Sequence, residues 1–148
     1  MKIAIGSDHA GFDCKKEIIA YLEKQGFEVK DFGTFSTESC DYPDFGYAVA
    51  KSVASDEYDR GVLICGTGVG IGIAANKVNG IRCALCGDAY TAELCRKHND
   101  ANMISMGARV TDVEKMKQIV SVFLSTQFEG GRHQRRIDKL AQIERLQK

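Results

Sequence analysis

The sequence predicts an α/β fold in a single domain, a Rossmann-like three-layer sandwich of five parallel strands with helices on both faces. Three observations predict it. Short apolar runs alternate with segments of helical period along the whole chain, the pattern of strands joined by crossover helices. The run Gly61–Cys65, GVLIC, is continuously apolar, as a strand buried on both faces must be. The 148 residues, 44% of them apolar, suffice for one proper core, and no linker, low-complexity stretch or internal repeat divides positions 1–148.

Lys2–Gly6 reads as a short apolar strand. Lys15–Gln25 carries Ile18, Ile19 and Leu22 on one stripe and stops at Gly26, a residue suited to the turn that ends a helix. Phe27–Phe32 alternates as a strand. A polar loop follows around Ser36–Pro43, and Gly46–Ser55 is helical. Gly61–Cys65 is the third strand, and a helix continues beyond the glycines to about Val78. Ile81–Cys86 is a strand, Tyr90–Lys97 a helix, Asn102–Met106 a strand and Val113–Leu124 a helix. Gln134–Gln147 is a final amphipathic helix with Ile137, Leu140, Ile143 and Leu146 along one side. The pair Gly130-Gly131 before it suits a hinge. Such a terminal helix can pack on its own domain or reach a second subunit.

Composition narrows the function. The formal net charge is zero, which gives no bias toward nucleic acid or anionic membrane. No apolar run approaches the roughly 18–20 residues of a membrane span, and the apolar part of MKIAIGSDHAGF is too short for a signal peptide. A cytoplasmic protein is expected. Its six cysteines are then expected to be reduced thiols. Cys83 and Cys86 form a C-x-x-C, but on a strand residues three apart point to opposite faces. No second pair follows at metal-finger spacing, so no metal site is expected there and small buried thiols are.

In parallel sheets of this kind, ligands bind beyond the carboxyl ends of the strands, near a switch in strand order. Asp8 and His9 follow the first strand, Cys65 ends the third, Asp88 follows the fourth, and Gly107 and Arg109 follow the fifth. All are expected along one edge.

The stretch CGTGVGIGIAANK, Cys65–Lys77, has glycine at 66, 68, 70 and 72. Each interior glycine costs roughly 0.5–1 kcal/mol relative to alanine, so close packing alone explains four of them poorly. Between a strand and a helix, such a loop gathers N–H groups at a helix N-terminus and suits a phosphate or a developing oxyanion. The expectation is that the glycines let that ligand approach the backbone. The phosphate-loop pattern fails, because Lys77 is followed by Val78 rather than Ser or Thr. Gly70-Ile71-Gly72-Ile73-Ala74-Ala75 formally fits the dinucleotide fingerprint, with Asp88 eighteen residues after Gly70. That alternative starts five residues beyond Cys65, where the strand has already ended.

Cys65 stands beside a helix N-terminus, a position that favours thiolate, which can serve as nucleophile or base. A buried strand-end cysteine fits the residues equally well. Asp8 can cap a helix or contact a ligand. His98 suits proton transfer near neutral pH, although it and Asn99 also fit a helix end. The segment 130–136, GGRHQRR, is the most basic in the chain. From Gln127 to Lys148 there are six Lys/Arg against three Asp/Glu. Arg132 and Arg136 are four apart, hence on one helical face, and two guanidinium groups there suit a phosphate dianion.

Five blocks, GSDHAGF (6–12), DYPDF (41–45), ICGTGVGIGIAANK (64–77), RKHNDAN (96–102) and EGGRHQRR (129–136), together resemble the type B ribose-5-phosphate isomerases, a group that also includes isomerases of hexose 6-phosphates. The resemblance covers nearly the whole chain. It implies the fold derived above and a homodimer with shared active sites, the helix at about 133–147 lying at the interface. A pairing of two dimers into a tetramer stays open. The implied reaction interconverts D-ribose 5-phosphate and D-ribulose 5-phosphate in the non-oxidative pentose phosphate pathway, with no cofactor and no metal. Carried over by position, Cys65 is the base for the C2 proton, and Thr67 helps move protons at the oxygens. The backbone of Gly66, Thr67, Gly68, Val69 and Gly70, with Asn99, holds the enediolate. His98 promotes ring opening and Asp8 contacts the sugar hydroxyls. His9, Arg132 and Arg136 bind the phosphate, with Arg109 added. One branch of the family uses a glutamate where this chain has Ile71, so the chain resembles the cysteine branch. The alternatives are an isomerase of allose or galactose 6-phosphate, a nucleotide-binding domain, and a sugar-phosphate sensor without turnover.

Overall fold

The computed structural model describes residues 1–147. Its elements are β1 (Lys2–Ser7), a 3-10 turn (His9–Gly11), α1 (Phe12–Lys24), β2 (Glu28–Asp31), α2 (Tyr42–Ala54), β3 (Arg60–Cys65), α3 (Val69–Asn76), β4 (Cys83–Leu85), α4 (Ala89–Asn99), β5 (Met103–Gly107), α5 (Val113–Ser125) and α6 (Arg132–Leu146). All five strands are parallel, in the order β2-β1-β3-β5-β4. The last two strands are exchanged relative to chain order, so β4 is an edge and β5 lies inside.

The central strands are buried on both faces and sort their side chains by parity. Ile3, Ile5, Val62, Ile64, Ile104 and Met106 face the layer of α1, α4 and α5, where Ile18, Leu22, Met116, Ile119 and Phe123 pack. Ala4, Leu63, Cys65 and Met103 face α2 and α3, where Val49, Ala50, Val53, Ile71 and Ala75 pack. This is the expected three-layer arrangement.

The fourth strand, expected over Ile81–Cys86, spans only Cys83–Leu85, and α6 begins at Arg132 rather than Gln134; three further boundaries differ from the sequence reading, each for a local reason. The helix expected from Lys15 begins at Phe12, because Asp8 and a 3-10 turn start it earlier. Its buried stripe is Lys15, Ile18 and Leu22, while Ile19 is only half buried. The Lys15 side chain is fully buried; its Nζ pairs with Asp31 Oδ1 at 2.7 Å and donates to the Thr34 carbonyl. The DYPDF block, expected in a loop, forms the first turn of α2 after Asp41, since proline's fixed φ and missing N–H suit a helix start. His98 and Asn99, expected after a helix, are the last turn of α4.

Cys83 packs on the α2–α3 side and Cys86 on the other, as the strand period requires. All six cysteines are free. Desolvation pushes the Cys83 thiol up to about 12, and a hydrogen bond with Cys95 followed by burial pushes Cys86 up as well. Both are poor thiolates. No helix among the described residues is long and apolar enough to cross a membrane.

Candidate active site in two halves

The strand order reverses between β1 and β3, and the first group of polar residues lies at that crevice, beyond the carboxyl ends. Asp8 Oδ1 accepts from the N–H of Ala10 (3.0 Å) and of Gly11 (3.2 Å), capping the 3-10 turn. The Asp8 N–H donates to the Ile64 carbonyl at 3.3 Å, which ties the exit of β1 to the end of β3. Its Oδ2 makes no hydrogen bond within the described chain and is available to a hydroxyl. His9 Nδ1 accepts from the Cys40 N–H at 3.2 Å. A neutral ring accepting there carries its proton on Nε2, a donor for an anionic group.

Cys65 is 4% exposed, and the Gly68 N–H donates to its sulfur at 3.1 Å. Thr67 is exposed at the loop, its Oγ1 accepting from the Val69 N–H at 3.3 Å. The N–H groups of Gly66, Thr67, Gly70 and Ile71 find no acceptor within the described chain. Unpaired donors at a helix start, beside a left-handed glycine, are an arrangement suited to an anion. Ile71 itself is fully buried beneath α2 and offers no base.

The expectation that a ligand excludes side chains from the glycines is corrected. Protein groups exclude them. A Cβ on Gly66 would lie 2.8 Å from Arg109 Nη1, one on Gly68 2.7 Å from Leu85 Cδ1 and 2.8 Å from the Met106 carbonyl carbon, one on Gly70 2.7 Å from Tyr42 Cζ, and one on Gly72 2.6 Å from Ser105 Oγ. The glycines let α3 and its loop press onto the sheet and onto Tyr42. What remains for a ligand is the row of N–H groups. Gly68 has the further constraint of φ +82°. Gly68→Ala is expected to lower stability by about 2–4 kcal/mol, from left-handed strain plus overpacking. Urea unfolding checks this, and an unchanged midpoint would show that the loop relaxes freely.

The same geometry closes the dinucleotide alternative. Gly70 and Gly72 lie within α3 beneath other side chains. Asp88 is occupied as the cap of α4, accepting from the Thr91 N–H at 2.7 Å. The backbone and side-chain hydrogen bonds from Thr91 hold its carboxyl below the usual range.

The second group is elsewhere. α4 runs back across the sheet, so His98 and Asn99 reach the amino-terminal edge, next to Arg132, His133 and Arg136 on the first turns of α6. The register pairs Gly61 with Met103 and Cys65 with Gly107, which separates the two edges by about 13 Å at 3.3 Å per residue. One chain therefore brings together Asp8, His9, the 65–70 loop and Arg109. It separately brings together His98, Asn99, Arg132 and Arg136. It does not join the two groups.

The His98 and His133 rings stack at 4.3 Å with 15° between their planes. His133 is buried, and its Nε2 lies 3.4 Å from Glu129 Oε1. Burial, then the His98 ring, then Arg132 lower its pKa, so it stays neutral near pH 7. His98, Glu129 and His133 are residue types that bind transition metals, with ligand atoms within 4.8 Å of one another. Stacked rings do not aim their lone pairs at one point, and two arginines flank them. The cluster suits an anion better than a cation.

Three neighbours of the site escaped the sequence reading. Cys40 fixes His9, Tyr42 covers Gly70, and His133 backs His98. Tyr42 was signalled only by the DYPDF block and His133 only by its place between Arg132 and Arg136. Nothing in the sequence marked Cys40.

The chain resembles known proteins over its whole length. The family model described as Ribose/Galactose Isomerase matches residues 3–140. Ribose-5-phosphate isomerase B of Escherichia coli (strain K12) is 52% identical, over 97% of this chain and 96% of its own. The structure of Clostridium thermocellum ribose-5-phosphate isomerase B superposes with a TM-score of 0.99 at 53% identity, covering 100% of both chains. That of the Mycoplasma genitalium isomerase B with bound ribulose-5-phosphate has a TM-score of 0.94 at 44% identity, covering 97% of this chain and 96% of the other.

Proposed function

Since the chain belongs to the ribose/galactose isomerase family, on its type B ribose-5-phosphate isomerase branch, we propose that it interconverts D-ribose 5-phosphate and D-ribulose 5-phosphate by proton transfer. The observation that carries the reading is the set of unpaired N–H groups in the loop that follows Cys65. Removing a proton α to a carbonyl places negative charge on oxygen. Donors already aimed at that position lower the barrier, each worth about 2.7–4 kcal/mol. The Cys65 thiolate takes the C2 proton of the open-chain aldose, giving an enediol or enediolate, and returns a proton to C1. The Thr67 hydroxyl shuttles a proton between O1 and O2. The free oxygen of Asp8 accepts from a sugar hydroxyl. His98 serves as the acid–base group for ring opening, with Asn99 donating to the enediolate oxygens. His9, Arg109, Arg132 and Arg136 neutralise the phosphate.

These roles require the two halves of the site to meet, and we infer that a second copy of the chain joins them in a homodimer. Apolar groups near both halves support this. Val69, Ile73 and Leu85 are exposed around α3 and β4, as are Leu140, Ile143 and Leu146 along α6. A groove of about 330 Å³ runs between α6 and the β4 edge, lined by Ile81, Cys83, Ala84, Leu140 and Ile143. Free cysteines throughout suit a reducing compartment, and we place the protein in the cytoplasm.

The test is turnover of ribose 5-phosphate without added metal or cofactor, beside allose 6-phosphate and galactose 6-phosphate. Conversion of the pentose well above the hexoses is the expected result. Preference for a hexose would move the assignment to that sugar. Binding without turnover of any of them would leave a sensor.

A further inference from the structure

We propose that Arg82, Arg96 and Asp100 are positioning residues, a clamp that fixes His98 and Asn99 for the site they complete. This rests on the role given above to those two residues. Asp100 ends α4 in the left-handed conformation, φ 46° and ψ 44°. A side chain there costs about 1–2 kcal/mol that glycine would avoid, and helix ends commonly take glycine at this point. The aspartate does something glycine cannot. Arg96 Nη1 donates to Asp100 Oδ1 at 2.8 Å and to the Ala101 carbonyl at 2.7 Å. Arg82 Nε donates to the Asn99 carbonyl at 2.8 Å, and its Nη2 donates to the Asp100 carbonyl at 2.9 Å and lies 3.6 Å from Asp100 Oδ2. Two guanidinium groups thus hold three consecutive carbonyls and the carboxylate between them.

The clamp also sets the spacing of the half-site. Arg96 is 4% exposed, and its Nε donates to the Thr126 carbonyl at 3.1 Å. The Glu129 N–H donates to the Lys97 carbonyl at 3.2 Å. The segment leading to Arg132 and His133 is therefore tied to the same helix end as His98. Committing a buried arginine and a left-handed aspartate to a helix terminus is more than the fold requires. It is what a preorganised site requires, since a displacement of about 1 Å can cost up to 10²-fold in rate.

The test compares kcat and KM for ribose 5-phosphate in the full chain carrying Asp100→Gly, Asp100→Asn, His98→Asn, or Asp100→Gly with His98→Asn. Asp100→Gly accepts the same backbone conformation and loses the clamp. Its kcat is expected to fall about 10–100-fold, with KM changed by less. Asp100→Asn, which keeps the left-handed preference and one acceptor, is expected to recover most of that loss. In the His98→Asn background, Asp100→Gly is expected to cost markedly less than in the wild-type chain, because part of its effect acts through the residue already removed. If Asp100→Gly keeps kcat within about twofold while His98→Asn does not, the clamp serves the fold alone. Full additivity in the double variant overturns the proposal as well. A neutral His98→Asn would instead refute the role of His98, whatever the clamp does. Should Asp100→Gly fail to fold, Arg82→Lys replaces it, with the same non-additivity expected.

Discussion

Cys65→Ala is expected to lower kcat for ribose 5-phosphate by about 10³-fold or more, with KM changed by only a few-fold. The expected size is that of a lost general base, 10²–10⁴-fold, taken above its middle because the loop holds no substitute. Ile71 is buried and apolar, the Thr67 hydroxyl is a poor base, and the Asp8 carboxylate has one oxygen committed to two N–H groups and the other assigned to a sugar hydroxyl. Cys65 ends β3 at 4% exposure with its sulfur oriented by the Gly68 N–H. Replacing it by alanine leaves the N–H row and the phosphate groups intact. Substrate binding should therefore survive while the proton step does not. Exchange of the carbon-bound proton with deuterated solvent is the direct readout and should stop with turnover. Cys65→Ser should behave like alanine, because an alcohol ionises far less readily than a thiol and supplies almost no conjugate base at neutral pH. A Cys65→Ala protein that still turns over and still exchanges the proton would place the base elsewhere.

Mixing two inactive variants should restore activity. In the proposed dimer, each site takes Cys65 from one subunit and His98 from the other. Cys65→Ala and His98→Asn chains are each expected to be nearly inactive as homodimers. A heterodimer of the two has one site with both lesions and one with neither. Free exchange of an equimolar mixture makes half the dimers mixed, so about one quarter of the wild-type specific activity should return. The measurement is activity after co-refolding, alongside the mass of the particle in solution. A site built within one chain would give no recovery. The geometry already argues against that arrangement, because β5 and the whole of α4 separate the two groups. A monomer by mass that is nevertheless fully active would refute the shared site outright.

The two predictions probe what the sequence read well and what it read poorly. The central strands were legible because burial on both faces leaves continuous apolar runs, and Gly61–Cys65 shows this most plainly. Helix starts were less legible. The Asp8 cap and the proline in the first turn of α2 each began a helix earlier than its apolar stripe did. The buried Lys15 was invisible to any hydrophobic pattern. It is stabilised by Asp31 and a carbonyl some twenty residues away, and breaking such a pair costs about 3–5 kcal/mol.

The glycine run shows how an expectation can rest on a partly wrong cause. An anion receptor was expected and the unpaired N–H groups are there. The space the glycines leave is nonetheless filled by Arg109, Met106, Leu85, Tyr42 and Ser105. None of these contacts is local in sequence, so spacing alone could not separate a ligand from a packed side chain.

The sequence by itself determined the fold class, the number of strands and their parallel sense, and it singled out the candidates for proton transfer and phosphate binding. These are set by periodicity, by residue chemistry and by short blocks, all of which are local. Only the tertiary structure decided the order β2-β1-β3-β5-β4, which depends on which strands pair across long crossovers. It alone decided that Cys65 and His98 lie at opposite edges of the sheet. A helix between parallel strands must carry the chain back from the carboxyl edge to the amino edge, so His98 at the end of α4 is left at the edge opposite Cys65, which ends β3.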